Sequence, residues 1–164
     1  MGSAELVLSQ IKLGGVPAVA RRLDSDPTFA ESVTNGIATG DSAWLEVARA
    51  ITPASSAAEA SLNIALASAL ERAPRLVLPL LSRKYSIEEV CGIPFLEADS
   101  IHIREYHDDA AKSVRSVRDS TLTPLRDRCL DTLDEARERK LARIDPSYVI
   151  KNKPTPVRAT RRRR

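Results

Sequence analysis

Apolar residues recur at steps of three and four along most of the chain, the periodicity of an amphipathic helix. The pattern is densest in residues 40–81, which contain the only tryptophan, Trp44. Asp41 is a suitable N-cap for one short helix in this segment, and Ser56 with Glu59 forms a capping-box pattern before a second. We therefore predict a helical hairpin that packs around Trp44 and forms the packing nucleus of the fold.

Further short helices are predicted before and after this hairpin, and one apolar stripe runs from residue 100 to 144. Thr123-Pro124 interrupts the stripe, so we expect either two helices with Pro124 in a first turn or one kinked helix. No segment alternates apolar and polar residues over the length of a strand. The predicted fold class is all-α: an irregular array of short antiparallel helices closed by a long C-terminal helix.

The length of 164 residues suits one domain with a hydrophobic core, which we assign to residues 1–144. Residues 145–164 differ in composition: they contain three prolines and no helical periodicity, and they carry seven Lys or Arg against one Asp. We expect a disordered basic tail there. The remainder of the chain is mildly acidic.

The two cysteines, Cys91 and Cys129, are the only evidence on compartment. They allow one disulfide in an oxidising compartment or two buried thiols in the cytosol. No apolar run approaches the roughly 20 residues that cross a bilayer. The start, Met1-Gly2-Ser3, is typical of an expression leader, so the lack of a signal peptide here excludes no compartment.

A polar cluster at residues 99–109 is the nearest approach to reactive chemistry. His102 and Glu105 have the spacing of two ligands on one helix face, but His107 is five residues from His102 and no further His or Cys lies nearby. We predict no metal site and no cofactor. The sequence also lacks the Gly-x-Ser-x-Gly motif of a nucleophile elbow and a phosphate-binding loop. A non-enzymatic protein is therefore the favoured interpretation.

The chain contains four short motifs, which are Gly40-Asp41-x-x-Trp44-Leu45-x-Val47-Ala48, Ala69-Leu70-x-x-x-Pro74-x-x-Val77-Leu78, Val90-Cys91-x-x-Pro94-Phe95 and Cys129-Leu130. Together they resemble a pattern found in small uncharacterised helical proteins exported by Gram-negative bacteria. The resemblance covers roughly residues 36–133 and does not include the basic tail. It implies an all-helical fold, a Cys91–Cys129 disulfide and a periplasmic location, and it supplies no catalytic residues.

The predicted function is that of a periplasmic or secreted protein-binding module with no enzymatic activity. One concrete version, by analogy with other small helical domains, is an immunity or inhibitor protein that neutralises a secreted toxin. Complementary charge steers association, so an acidic patch is the first candidate for the contact surface. It comprises Glu97, Asp99, Glu105, Asp108 and Asp109.

Two alternatives belong to other functional classes. A cytoplasmic nucleic-acid-associated protein would contact phosphates through Arg161, Arg162, Arg163 and Arg164. An enzyme would need a site assembled from His102, His107 and nearby carboxylates. The sequence leaves the partner and the oligomeric state open.

Overall fold

The computed structural model describes residues 3–81, 83–95 and 98–146. Within these residues the regular structure is helical, apart from one isolated bridge between Leu81 and Tyr85. The all-α prediction is confirmed. The α-helices are α1 (Ala4–Gly14), α2 (Val16–Ser25), α3 (Pro27–Ala38), α4 (Ser42–Ala50), α5 (Ser56–Leu70), α6 (Pro74–Val77), α7 (Ile87–Val90), α8 (Ser100–Arg115) and α9 (Thr123–Ile144); short 3-10 turns cover Leu78–Leu80 and Ser120–Leu122.

Side-chain caps set the starts of α4 and α5. The Asp41 carboxylate accepts hydrogen bonds from the first amides of α4, as the sequence predicts. At α5 the predicted cap is wrong by one residue: the hydroxyl of Ser55, not Ser56, accepts a bond from the Ala58 amide at 3.1 Å. Ser55 has the extended backbone that an N-cap requires, whereas Ser56 is already helical. Only Ser56 has a glutamate three residues later, so the capping-box pattern selected the wrong one of two adjacent serines.

The predicted hairpin of α4 and α5 around Trp44 is also wrong. α5 packs mainly against α3, and α4 packs against α1 and α3. The indole of Trp44 lies directly on Gly36 of α3, where a Cβ atom would be only 2.3 Å from two of its ring carbons. Because Gly36 has no side chain, α3 offers the ring a close fit, and Trp44 joins α4 to α3 instead of to α5.

Substituting Gly36 by Ala is expected to lower the free energy of unfolding. Alanine favours a helix over glycine by about 1 kcal/mol, but its methyl group would displace the Trp44 ring, and such overpacking costs roughly 1–3 kcal/mol. Gly14→Ala is the matched control, because a Cβ there meets Ala18 at an ordinary 3.6 Å. Urea denaturation should show a lower midpoint for Gly36→Ala alone; equal midpoints for the two variants would disprove the close contact.

α5 is the central helix of the core. It contacts α2, α3, α6, α7 and α8, and from Leu62 to Leu70 all its alanines and leucines are buried. Asn63 is buried among them, and its side-chain oxygen has no hydrogen-bond partner. The buried side chains form one cluster that extends from Ala4 in α1 to Leu141 in α9.

The C-terminal stripe is divided into two helices, the first of the two expected arrangements. α8 ends at Arg115, and α9 begins at Thr123 with Pro124 in its first turn. α8 and α9 pack against each other. The predicted stripe includes Thr121 as an inward position, but Thr121 is exposed and Leu122 is buried instead. The break between the helices therefore moves the inward position by one residue.

Cys91, which ends α7, and Cys129 of α9 are fully buried, and their sulfur atoms lie at disulfide distance. The link joins positions 38 residues apart in the sequence. It attaches the short α7, and the turn that follows it, to the middle of the long C-terminal helix.

Candidate functional site: an acidic groove between α5 and α8

An open groove of about 690 Å³ lies between α5, α8 and the turn that follows Cys91. It combines an apolar floor with a carboxylate rim. We call it the acidic groove. It is lined by Ile64 and Glu71 of α5 and its end, by Pro94, Phe95 and Ala98 before α8, and by His102, Glu105, Tyr106 and Asp109 of α8.

Phe95 and Tyr106 form the apolar floor. Their rings meet edge to face, with centroids 4.9 Å apart and an angle of 83° between the planes. The Tyr106 hydroxyl donates a hydrogen bond to the Ala67 carbonyl at 3.0 Å, which holds the ring against α5. Burial raises the pKa of Tyr106 far above its usual value, and nearby Glu71 adds to this rise. Tyr106 is therefore a neutral structural support for the floor.

The turn that carries Phe95 is strained and held at both ends. Ile93 is fully buried and has a positive φ of 55°, a conformation that β-branched residues rarely adopt. On one side the turn follows Cys91, which is linked to α9. On the other side the Lys140 ammonium of α9 donates a hydrogen bond to the Phe95 carbonyl at 2.9 Å. α9 therefore fixes the position of Phe95 at the groove from both sides.

Glu71, Glu105 and Asp109 form the rim. Glu105 and Asp109 are four residues apart on α8 and share a face, and Glu71 approaches from the end of α5. Burial raises the pKa of Glu71; the Asp109 charge adds to the rise, and Arg72 opposes it. Three carboxylates thus surround the groove, and no Lys or Arg lines it within the described residues. A bound cation would relieve their mutual repulsion.

The structure divides the predicted acidic patch. Glu105 and Asp109 line the groove. Asp99 caps α8 by accepting bonds from the amides of Ile101 and His102, and the bond from His102 is the main cause that lowers the pKa of Asp99. Asp108 points to His107 instead, at 3.0 Å. Glu97 lies outside the described residues.

His102 and His107 lie on different faces of α8. His102 is exposed beside the groove and contacts the Asp99 carboxylate at 2.9 Å. His107 is buried against α9, where its Nε2 atom is 2.6 Å from Asp134 and its Nδ1 atom is 3.3 Å from Arg137. The structure therefore does not bring the two histidines to one site. His107 joins α8 to α9 through a polar contact inside the bundle.

The sequence analysis missed Glu71 and the apolar floor. Glu71 is 34 positions before Glu105, and helix periodicity reports only on neighbours within one helix. The sequence contains one signal, because Ile64 lies seven residues before Glu71 and therefore on the same helix face. In the structure Ile64 is 39% exposed. An exposed isoleucine aligned with a half-buried glutamate marks this face of α5.

Glu71→Gln is expected to raise the melting temperature at pH 7. The raised pKa means that folding disfavours the charged carboxylate, so this group's contribution to stability is present below its unfolded pKa and is lost as pH rises through its folded pKa. Glutamine mimics the neutral form. The gain over wild type should therefore shrink below about pH 4, near the unfolded pKa of a glutamate. Calorimetry at both pH values tests this, with exposed Glu31→Gln as the control; a lower melting temperature at pH 7 would contradict it.

Other features set further bounds on the chemistry. Among the described residues no group of three or more His, Cys, Asp or Glu side chains could hold a metal ion. No helix in the same ranges is both long and apolar enough to span a membrane. Another cavity, of about 600 Å³, is lined by Arg72, Arg75 and Arg118 against one carboxylate, Asp119, and is basic on balance. The terminal arginines 161–164 lie outside the described residues.

No family model matches the chain, and no curated protein and no solved structure matches it. The resemblance to exported helical proteins therefore stays a prediction.

Proposed function

We propose that this chain is a non-enzymatic protein-binding module whose acidic groove takes a basic segment of a partner protein. The observation that carries the proposal is the juxtaposition of a partly exposed apolar floor with three carboxylates. The apolar floor of Phe95 and Tyr106, with Ile64 beside it, fits one apolar anchor side chain. Lysines or arginines on either side of that anchor would reach Glu71, Glu105 and Asp109.

The composition of the groove favours a peptide-like ligand over a small metabolite. The groove is open, its polar groups are carboxylates at the rim, and its floor is apolar. Small-molecule sites instead are concave and enclose most of the surface of their ligand. A partner segment with an anchor and flanking cations matches both parts of the groove, as in other modes of peptide recognition.

The compartment proposed is the periplasm or the extracellular space. The buried cysteine pair at disulfide distance supports it, because disulfides persist in oxidising compartments. In such a compartment an inhibitor or immunity protein that binds a basic region of a secreted toxin is the concrete version that we favour. This version rests on analogy among small helical domains, and the groove chemistry supports it through charge alone.

A direct test measures affinity for model peptides with the full chain. The probe is the peptide KKLFKK, which has an apolar centre and four flanking cations; EELFEE reverses the charge and KKSGKK removes the anchor. At low ionic strength, fluorescence anisotropy should show binding of KKLFKK but not of EELFEE or KKSGKK. The binding of KKLFKK should be weaker at about 0.15 M salt. Equal binding of KKLFKK and KKSGKK would show a non-specific charge effect and refute an anchored groove.

A further inference from the structure

The chain leaves α9 beside the acidic groove. A smaller cavity of about 240 Å³ is lined by Ile144, the last residue of α9, together with Phe95 and Ala98. Phe95 and Ala98 also line the acidic groove. The two cavities are therefore direct neighbours, and α9 ends next to the apolar floor.

Charge at the end of α9 favours a path toward the groove. Lys140 and Arg143 line the smaller cavity, and Arg139 lies one helical turn before Arg143. Burial lowers the pKa of Lys140, and the charges of Arg143 and Arg139 lower it further. A basic segment that leaves this cationic end is repelled by it and is attracted by the carboxylates of Glu71, Glu105 and Asp109.

The segment after Pro146 has the composition that the groove requires. It reads Ser-Tyr-Val-Ile-Lys-Asn-Lys over residues 147–153, so three apolar residues precede two lysines. Seven residues can span up to roughly 25 Å, which is ample for a site that starts beside Ile144. The later run Arg161–Arg164 is equally basic but has no bulky apolar residue within it to fill the floor.

We propose that residues 148–153 of this chain occupy the acidic groove in the absence of a partner, an inference that rests on the proposed function. Tyr148, Val149 or Ile150 supplies the apolar anchor, and Lys151 and Lys153 meet the carboxylate rim. The short connection to α9 gives this segment a high effective concentration at the groove. A partner must then displace this segment. The partner's apparent affinity is therefore its intrinsic affinity multiplied by the fraction of grooves that are free.

Two full-length variants with equal changes in charge test the inference. Lys151→Glu with Lys153→Glu lowers the net charge by four units next to the anchor, and replacing Arg161–Arg164 by Gln lowers it by four units at the end of the chain. The first variant should bind KKLFKK about ten-fold more tightly than wild type, because its groove is vacated. The second variant should bind KKLFKK with an affinity within about two-fold of wild type, because its changed charges lie far along the chain from the anchor and are screened by salt.

Amide chemical shifts give a second readout. In the lysine variant the amides of Phe95, Glu105 and Asp109 should shift relative to wild type, whereas in the arginine variant they should not. Equal KKLFKK affinities for both variants and wild type, with unchanged groove amides, would overturn the tail inference and leave the proposed function standing. Absence of KKLFKK binding to every one of the three chains would overturn both.

Discussion

Reduction of the Cys91–Cys129 link is expected to lower the free energy of unfolding by about 3–4 kcal/mol. The link closes a segment of 38 residues, and its removal gives the unfolded chain the conformational freedom of that loop. Both cysteines are fully buried, so the folded protein should protect the link until it unfolds. Denaturant midpoints with and without reductant measure the effect.

The control for this prediction is the Cys91→Ala, Cys129→Ala double variant, which reductant cannot alter. Its midpoint should lie near that of the reduced wild type and should be the same with and without reductant. Intact mass after alkylation adds a chemical readout: neither thiol should react in the unfolded protein until reductant is added. Free alkylation of both thiols without reductant would contradict the link and remove the support for an oxidising compartment.

Neutralising the rim is expected to weaken KKLFKK binding by about ten- to a hundred-fold at low ionic strength. Exposed ion pairs contribute up to about 1 kcal/mol each, and the variant Glu71→Gln, Glu105→Gln, Asp109→Asn removes three carboxylates at once. Salt should affect the variant less than wild type, because fewer charged contacts remain to be screened. Anisotropy titrations of the full-length chains at two salt concentrations provide the measurement.

A matched triple variant separates local charge from net charge. Glu31→Gln, Glu135→Gln and Asp131→Asn change the same side-chain types and the same total charge, and all three residues are exposed and outside the groove. This control should bind KKLFKK within about two-fold of wild type. Equal losses in the two triple variants would mean that the peptide responds to the overall charge of the protein, and the groove would lose its assigned role.

Helix periodicity and caps were sufficient to predict the all-α fold. The Asp41 cap and the first-turn position of Pro124 are local features, determined by side chains within a few residues. The pairing of α4 with α3 is not local. It depends on the contact of Trp44 with Gly36, where a missing side chain creates the fit, and sequence periodicity does not report the absence of a side chain as a contact.

Only part of the acidic groove could be predicted from the sequence. Glu105 and Asp109 share a face of one helix, so their spacing was enough to group them. Glu71 and Phe95 reach the same place through tertiary packing: α5 lies beside α8, and α9 holds the strained turn at Ile93. Asp99 has a structural role that the sequence analysis left out, because its carboxylate caps α8.

Mapping the peptide site by amide chemical shifts tests the central claim most directly. Titrating KKLFKK into the full-length, isotopically labelled chain should shift the amides of Glu71, Phe95, Glu105 and Asp109 together, with one common affinity. The basic cavity at Arg72, Arg75 and Arg118 provides the internal reference and should stay unchanged apart from residues adjoining Glu71. Shifts spread over the surface, or none in the groove while the peptide binds, would contradict the assignment of the acidic groove as the binding site.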